Sequence, residues 1–355
     1  MKVLHFISAP AAGGAEVYVK DLARHASRKG QDTAVVFLGD AKSIGRCQVY
    51  ERKYLSELDE CNIKYYFLKP GSRKNIIGGF FSLNRILKEY RPDIIHCHLF
   101  YAVAYSFLFR KKIVYTHHNV VMKINRFLFG FFNRYIDVYI GICGVCSDVL
   151  RTYTKKTVVE INNAVDVERI KKKSPPSIRN HVNIIMVGGL IEQKNYSLAI
   201  KTVRLLHNDS YKLLIAGEGE MRPKLEKIIS DYNLHDNVVL MGNVSNIQEV
   251  YDQADVFLMT SLWEGLPIAL LEASVRGIAV VVTDVGGCGE VVNNMNNGYV
   301  IKDFSPTDIA DCLKKLIESP MERNRISKQV MERSHVYDIS SAYQSHYELY
   351  RELVN

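Results

Sequence analysis

The sequence predicts an α/β chain of two doubly wound domains, and three observations predict it. Strand-like apolar runs alternate with helical patterns from end to end, as parallel sheets with crossover helices require. A charged, proline-bearing break, KKKSPPSIRNH at residues 171–181, stops that alternation, which then restarts. The length, 355 residues, is more than one core usually serves. The expected division is residues 1–170, a linker at 171–181, residues 182–335, and a C-terminal helix over 336–355 that crosses back to the first domain.

The first 26 residues, MKVLHFISAPAAGGAEVYVKDLARHA, carry a lysine and an apolar run, but Ser8 ends that run and His5 interrupts it. It is too short for the apolar region of a secretory signal. Val19, Leu22, Ala23 and Ala26 follow at i, i+3, i+4 and i+7, so the stretch reads as strand, glycine turn and amphipathic helix. Gly13 and Gly14 at that turn fit either a close approach of backbone to an anion at the helix N-terminus or simply a tight turn.

Further strands are expected at TAVVFL, KYYFL, DIIHC, KIVYT, DVYIGI and TVVEI in the first half. In the second half they are NIIMVG, YKLLIAG, NVVLMG, DVFLMT and AVVVT, with helices from about Tyr196 and Met221 and another entered through Pro267. Ligands of such sheets sit beyond the carboxyl ends of the strands, so the loops there are expected to carry the chemistry.

Composition narrows the function. Apolar residues make up 47% and charged residues 24%, an ordinary globular balance. Seven cysteines without framework spacing predict a reducing, cytosolic setting, and Cys143 with Cys146 lacks the second pair of a zinc ribbon. The net charge of +8 is uneven: through Lys173 there are 29 Lys+Arg against 15 Asp+Glu, and beyond it 17 against 23. The basic half predicts an anionic partner, and an anionic membrane surface or a phosphorylated substrate fits. Nucleic acid is not expected, because no nucleic-acid motif accompanies the charge. In MKINRFLFGFFNRY, residues 122–135, cations mix with large apolar groups, and Phe127 and Phe131 face either a bilayer surface or the core.

The densest chemistry lies in SLWEGLPIALLEA, where Glu264 and Glu272 stand eight apart. With Pro267 opening a helix, the carboxylates are expected on the order of 10 Å apart at the helical rise, too far for a retaining glycosidase pair and suited to one extended ligand touched twice. Lys194 sits between a strand and a helix, where its ammonium meets a diphosphate. Gly217 and Gly219 form another strand-to-helix turn, and the backbone of Gly242, Asn243 and Val244 is placed to read a base edge. His96, His98, His117 and His118 cluster in sequence, yet no carboxylate or cysteine is spaced to join them in a metal site. No Asp-x-Asp occurs anywhere in the sequence.

Taken together, Glu264-x7-Glu272, the loop at Lys194, the GEG turn, MGNV, VTDVGGCGEVV and NNGYVI resemble the retaining nucleotide-sugar glycosyltransferases of family four, with the GT-B fold. GGAE after the first strand, His96-x-His98, YTHHN and INNAVD extend the resemblance over nearly the whole chain. The resemblance implies two Rossmann-like domains facing across a cleft. It implies a metal-independent transferase without a cofactor, whose donor is a nucleotide sugar, by analogy a UDP-hexose or UDP-N-acetylhexosamine. The acceptor would be a glycan or lipid-linked saccharide in surface-polysaccharide synthesis, and the place of action the cytoplasm or the inner face of the cell membrane.

Carried over by residue, the resemblance gives Glu264 to the donor sugar and Glu272 to the ribose. It gives Lys194 and the backbone of Gly14 to the diphosphate, and His118 a place beside the reacting sugar. Gly217, Gly242, Asn243, Val244, Gly265, Leu266, Ile268 and Ala269 complete the donor contacts. One departure touches them: Gly189 stands where the family often has an arginine. A nucleotide-sugar epimerase of the same fold, or an inactive partner protein of this architecture, stays open as an alternative.

Overall fold

The computed structural model describes residues 1–122, 124–170, 181–206, 211–244 and 246–355. The expected linker lies outside the described residues apart from His181, as does Lys123 of the basic apolar segment. The chain divides into two units, Met1–Ala164 with Ile339–Asn355, and Val165–Asp338.

In the first unit seven parallel strands, β1 (Lys2–Ile7), β2 (Asp32–Phe37), β3 (Lys64–Phe67), β4 (Ile94–Cys97), β5 (Lys112–His117), β6 (Val138–Gly141) and β7 (Val158–Glu160), stand in the order β3-β2-β1-β4-β5-β6-β7. After its first residue β1 is buried throughout, because helices cover both faces. The crossovers are α1 (Gly14–Arg28), α2 (Gln48–Asp59), α3 (Ile76–Tyr90), α4 (Phe100–Ser106), α5 (Arg126–Asn133) and α6 (Gly144–Arg151). Val19 and Ala23 of α1 and Tyr54 and Leu58 of α2 share one apolar cluster. Leu83 of α3, Val103 of α4, Phe129 of α5 and Leu150 of α6 share the other, so the two helical layers take opposite faces of the sheet. Phe127 and Phe131 are 83% and 42% exposed, so they are not packed into that core.

The second unit holds six parallel strands, β8 (Val182–Val187), β9 (Tyr211–Ala216), β10 (Val238–Gly242), β11 (Val256–Met259), β12 (Ala279–Thr283) and β13 (Gly298–Ile301), in the order β10-β9-β8-β11-β12-β13. Its helices are α7 (Val167–Ile170), α8 (Tyr196–Val203), α9 (Arg222–Asp231), α10 (Ile247–Asp252), α11 (Ile268–Val275), α12 (Cys288–Met295), α13 (Pro306–Glu318) and α14 (Pro320–Arg333). Pro267 caps α11 in an extended conformation rather than opening it, and the helix starts one residue later. The last helix, α15 (Ile339–Val354), packs on α1 in the first unit, where Tyr18 and His346 hydrogen-bond at 2.8 Å.

Composition placed the first boundary at residue 170, but Val165–Ile170 belong with the second unit. The Val165 amide donates to the Tyr337 carbonyl at 3.0 Å and Arg169 pairs with Glu272 at 2.8 Å, so these six residues go with the surface they bond. Among the described residues no helix is long and apolar enough to cross a membrane.

Candidate functional site

In the second unit the glycine turns meet at the carboxyl ends of adjacent strands. Gly188 after β8 donates to Ala216, and Gly217 after β9 donates to Gly242 at the end of β10 at 2.9 Å. Gly217 has a φ of +153°, and a Cβ there would stand 1.9 Å from the Gly188 oxygen, so no side chain fits. A Cβ on Gly219 would stand 2.4 Å from the Leu190 oxygen. The strand ends thus present close-packed backbone, with Asn243 exposed and Val244 half-buried beyond Gly242.

The loop after β11 is tied to the loop after β8. Leu262 donates to the Gln193 carbonyl at 2.8 Å, Gln193 donates back to that of Trp263 at 2.8 Å, and the Thr260 hydroxyl donates to that of Asn195 at 3.0 Å. This stitching sets the Lys194 ammonium 2.6 Å from Glu264, a carboxylate only 6% exposed. The sequence offered the two residues separate partners; the structure pairs them. Gly265, Leu266 and Ile268 are buried behind this pair and Ala269 half-buried, and Gly287 donates to the Gly265 carbonyl at 2.8 Å. A Cβ on Gly286 would stand 2.1 Å from the Glu264 carbonyl, which explains the first glycine of the pair in VTDVGGCGE.

Glu272, inside α11, accepts from Arg169 at 2.8 Å and from the Tyr251 hydroxyl at 2.9 Å. Sequence reasoning missed both partners, because they lie 103 and 21 residues away. It also missed Arg222 at the start of α9, which pairs with Glu218 of the GEG turn.

In the first unit, Gly14 opens α1 and is exposed, while Glu16 of the same turn accepts from the Ser8 hydroxyl. Burial raises the Glu16 carboxyl above its usual range, partly offset by Ser8. Behind this turn lies a histidine chain: His5 Nδ1 to His98 Nε2 at 3.1 Å, then His98 Nδ1 to His118 Nε2 at 3.0 Å. His118 Nδ1 is buried without a hydrogen-bond partner among the described residues. His96 lies between Thr116 at 2.6 Å and the Tyr350 hydroxyl at 2.5 Å.

Burial lowers His5 to about 4 and His118 to about 3, with His117 adding to the shift at His118. His96 and His98 fall well below the usual imidazole range through burial and neighbouring histidines. All four rings are neutral at neutral pH, so His118 offers a polar nitrogen rather than a cation. His5, His96 and His98 bring ligand atoms within 4.8 Å of one another. The bonds just described already engage both nitrogens of His96 and join His5 to His98, so these rings serve one another. His117 turns the other way and meets the Tyr115 hydroxyl at 3.0 Å.

Two doubly wound parallel-sheet units, one with glycine-lined strand ends beside a buried Lys–Glu pair, define a GT-B glycosyltransferase architecture. The sequence model of Glycosyltransferase Family 4 matches residues 12–169, and that of Glycosyl transferases group 1 matches residues 167–333. Together they span most of the chain, which belongs to the family 4 glycosyltransferases.

HepE of Anabaena, solved in complex with UDP-glucose, shares the fold with a TM-score of 0.84 at 18% identity, over 99% of this chain and 100% of that one. The UDP-Gal:alpha-D-GlcNAc-diphosphoundecaprenol alpha-1,3-galactosyltransferase of Escherichia coli is 27% identical over 253 residues, 62% of this chain and 65% of its own length. The N-acetylgalactosamine-N,N'-diacetylbacillosaminyl-diphospho-undecaprenol 4-alpha-N-acetylgalactosaminyltransferase of Campylobacter jejuni is 26% identical over 233 residues, 64% of this chain and 63% of its own length. The chain spans just under two-thirds of the length of these two relatives.

Proposed function

We propose that the protein is a retaining, metal-independent glycosyltransferase that moves a hexose or N-acetylhexosamine from a UDP-sugar to a lipid-linked saccharide. The observation that carries the donor half is the buried Lys194–Glu264 pair beside the glycine-lined ends of β8, β9 and β10. Close-packed backbone admits a diphosphate, and an ammonium with three donors has two left for phosphate oxygens after meeting Glu264. In the reaction the bond from the anomeric carbon to the β-phosphate oxygen breaks and the acceptor oxygen takes its place. The acceptor proton leaves with the diphosphate, and Lys194 stabilises the charge that builds there. Glu264 and the neutral His118 have the role of holding the sugar, and Glu272 that of receiving the ribose.

The lipid-linked acceptor and the UDP donor rest on analogy with the relatives' names and on the basic first unit. The test is a thermal-shift screen of UDP-, GDP- and ADP-sugars. A donor at a hundred times its Kd stabilises by about 2.7 kcal/mol, so UDP-sugars are expected to stand out. A uniform response to all three nucleotides, or none, would sink the donor assignment.

A further inference from the structure

The chain's carboxylates are missing from two long stretches. Residues 61–88 and 94–136 contain no Asp or Glu but six Lys or Arg each. The fold brings both stretches into one helical layer, because α3 comes from the first and α4 and α5 from the second, and all three bury apolar residues in one cluster on the same sheet face. Aromatic contacts join the layer: Phe80 of α3 stacks on Phe109 with ring centroids 4.6 Å apart, and Phe107 packs on Phe131 of α5 at 5.8 Å.

The outer side of this layer is apolar as well as basic. Ile77, Phe81, Leu108, Phe127 and Leu128 are all at least half exposed, and Ile77 and Phe127 reach 72% and 83%. Arg73, Lys74, Arg85, Arg110, Arg126 and Arg134 are exposed among them. We propose that the outer face of α3, α4 and α5 is a docking surface for an anionic phospholipid bilayer, with the large apolar side chains entering the acyl boundary and the cations meeting the headgroups. The proposal deepens the lipid-acceptor reading above and rests on it for its purpose, though not for its observations.

Charge complementarity selects the occupant. A second copy of the chain would set one acid-free basic face against another, which repels. Nucleic acid would meet the cations but gives no reason to expose isoleucine and leucine to water. An anionic bilayer satisfies both halves of the surface, since each basic residue gains from the surface potential and each apolar side chain from the acyl boundary.

The experiment is co-sedimentation of the full chain with vesicles of phosphatidylglycerol and phosphatidylcholine, against vesicles of phosphatidylcholine alone. Binding is expected to the anionic vesicles only and to fall steeply between low and high salt. Ile77→Ser with Phe127→Ser, and separately Arg110→Glu with Lys111→Glu, are each expected to lower binding about ten-fold or more. Thermal melting and the UDP shift of both variants are expected to match the parent, which separates surface from fold. Equal binding to both vesicle types, binding unmoved by either pair, or binding to RNA or to itself in place of vesicles overturns the proposal. Vesicle binding without any UDP shift would leave this surface standing and sink the donor reading instead; a UDP shift without vesicle binding would do the reverse.

Discussion

The two units carry the same kind of sheet and fill its strand ends with opposite kinds of polar chemistry. In the first, the buried polar groups beside β1, β4 and β5 are imidazoles that burial keeps neutral and that bond to one another, to Thr116 and to Tyr350. In the second they are ion pairs, Lys194 with Glu264 and Arg169 with Glu272. A shared scaffold therefore does not dictate the electrostatics of its site. A neutral network answers to pH in the imidazole range, whereas a charged pair answers to the removal of its partner.

The largest expected effect breaks the comparison with acid. A histidine whose folded pKa is lowered stays neutral in the fold while the unfolded chain takes the proton, so its stability is fully present above about 6.5 and is lost as pH falls toward the folded value. His5 at about 4 and His118 and His346 at about 3 place the window between about 6.5 and 3. Each histidine that stays neutral costs about 1.4 kcal/mol per pH unit across it. In the second unit, Arg222 hydrogen-bonds Glu218 and holds its carboxyl below 4.5, so that contribution is lost only below that pH. Hydrogen exchange from pH 7.5 to 4.5 is expected to show β4 and β5 losing protection before β8 and β11. Simultaneous loss, or melting temperatures independent of pH, would count against the neutral network.

Next in size is Lys194→Ala. It leaves Glu264 buried without its cation, and breaking such a pair from one side costs about 3–5 kcal/mol. Glu264→Gln keeps an acceptor in place and is expected to be milder in melting, yet to cut turnover while UDP affinity holds. A double-mutant cycle on Lys194 and Glu264 checks both statements, and additive effects would show that the 2.6 Å contact carries little coupling.

At the lower end of that range is Glu272→Ala, which removes the acceptor shared by Arg169 and Tyr251 and breaks an ion pair from one side, at about 3 kcal/mol. It is expected to weaken UDP and UDP-sugar alike, in contrast to Glu264→Gln. Calorimetric titration of UDP against both variants separates them, and equal losses would remove the distinction between sugar and ribose contacts.

The sequence made most of the sheets legible because a strand buried on both faces, such as β4 or β11, is a continuous apolar run, while β3 and β7, which bury no residue fully, were marked by their aromatic and β-branched residues. β13 did not: its four residues begin with Gly298, which leaves only Tyr299, Val300 and Ile301 to mark a strand. Residue type marked Lys194, Glu264 and Glu272, but their bonding was hidden. A contact spanning 70 residues, or the 254 between His96 and Tyr350, leaves no trace in local spacing. The same holds for His5, whose isolated place in β1 read only as an interruption of an apolar run. Arg169 was hidden for another reason, since it sits just before the compositional break and was assigned to the wrong side of it.

The smallest expected effect sharpens the comparison by adding charge where backbone now stands alone. Gly188 and Gly217 are held to glycine by φ values of +151° and +153°, and both would carry a Cβ into close contact. Gly189 differs, for a Cβ there meets only the Glu218 oxygen at 3.7 Å and an Ile191 methyl at 3.8 Å, ordinary packing distances. Its φ lies outside the left-handed region that favours glycine. Gly189 is half-buried, so Gly189→Arg is expected to cost about 1 kcal/mol, the ordinary size of a point substitution, and to leave the fold intact. Set at the end of β8 beside Lys194, the added guanidinium supplies a second cation, and a charge-assisted contact to a diphosphate is expected to tighten UDP about ten-fold in a calorimetric titration. A variant that keeps the fold and binds UDP no better would mean that the diphosphate does not lie over this strand end, and Lys194 would then keep Glu264 in place without meeting phosphate itself.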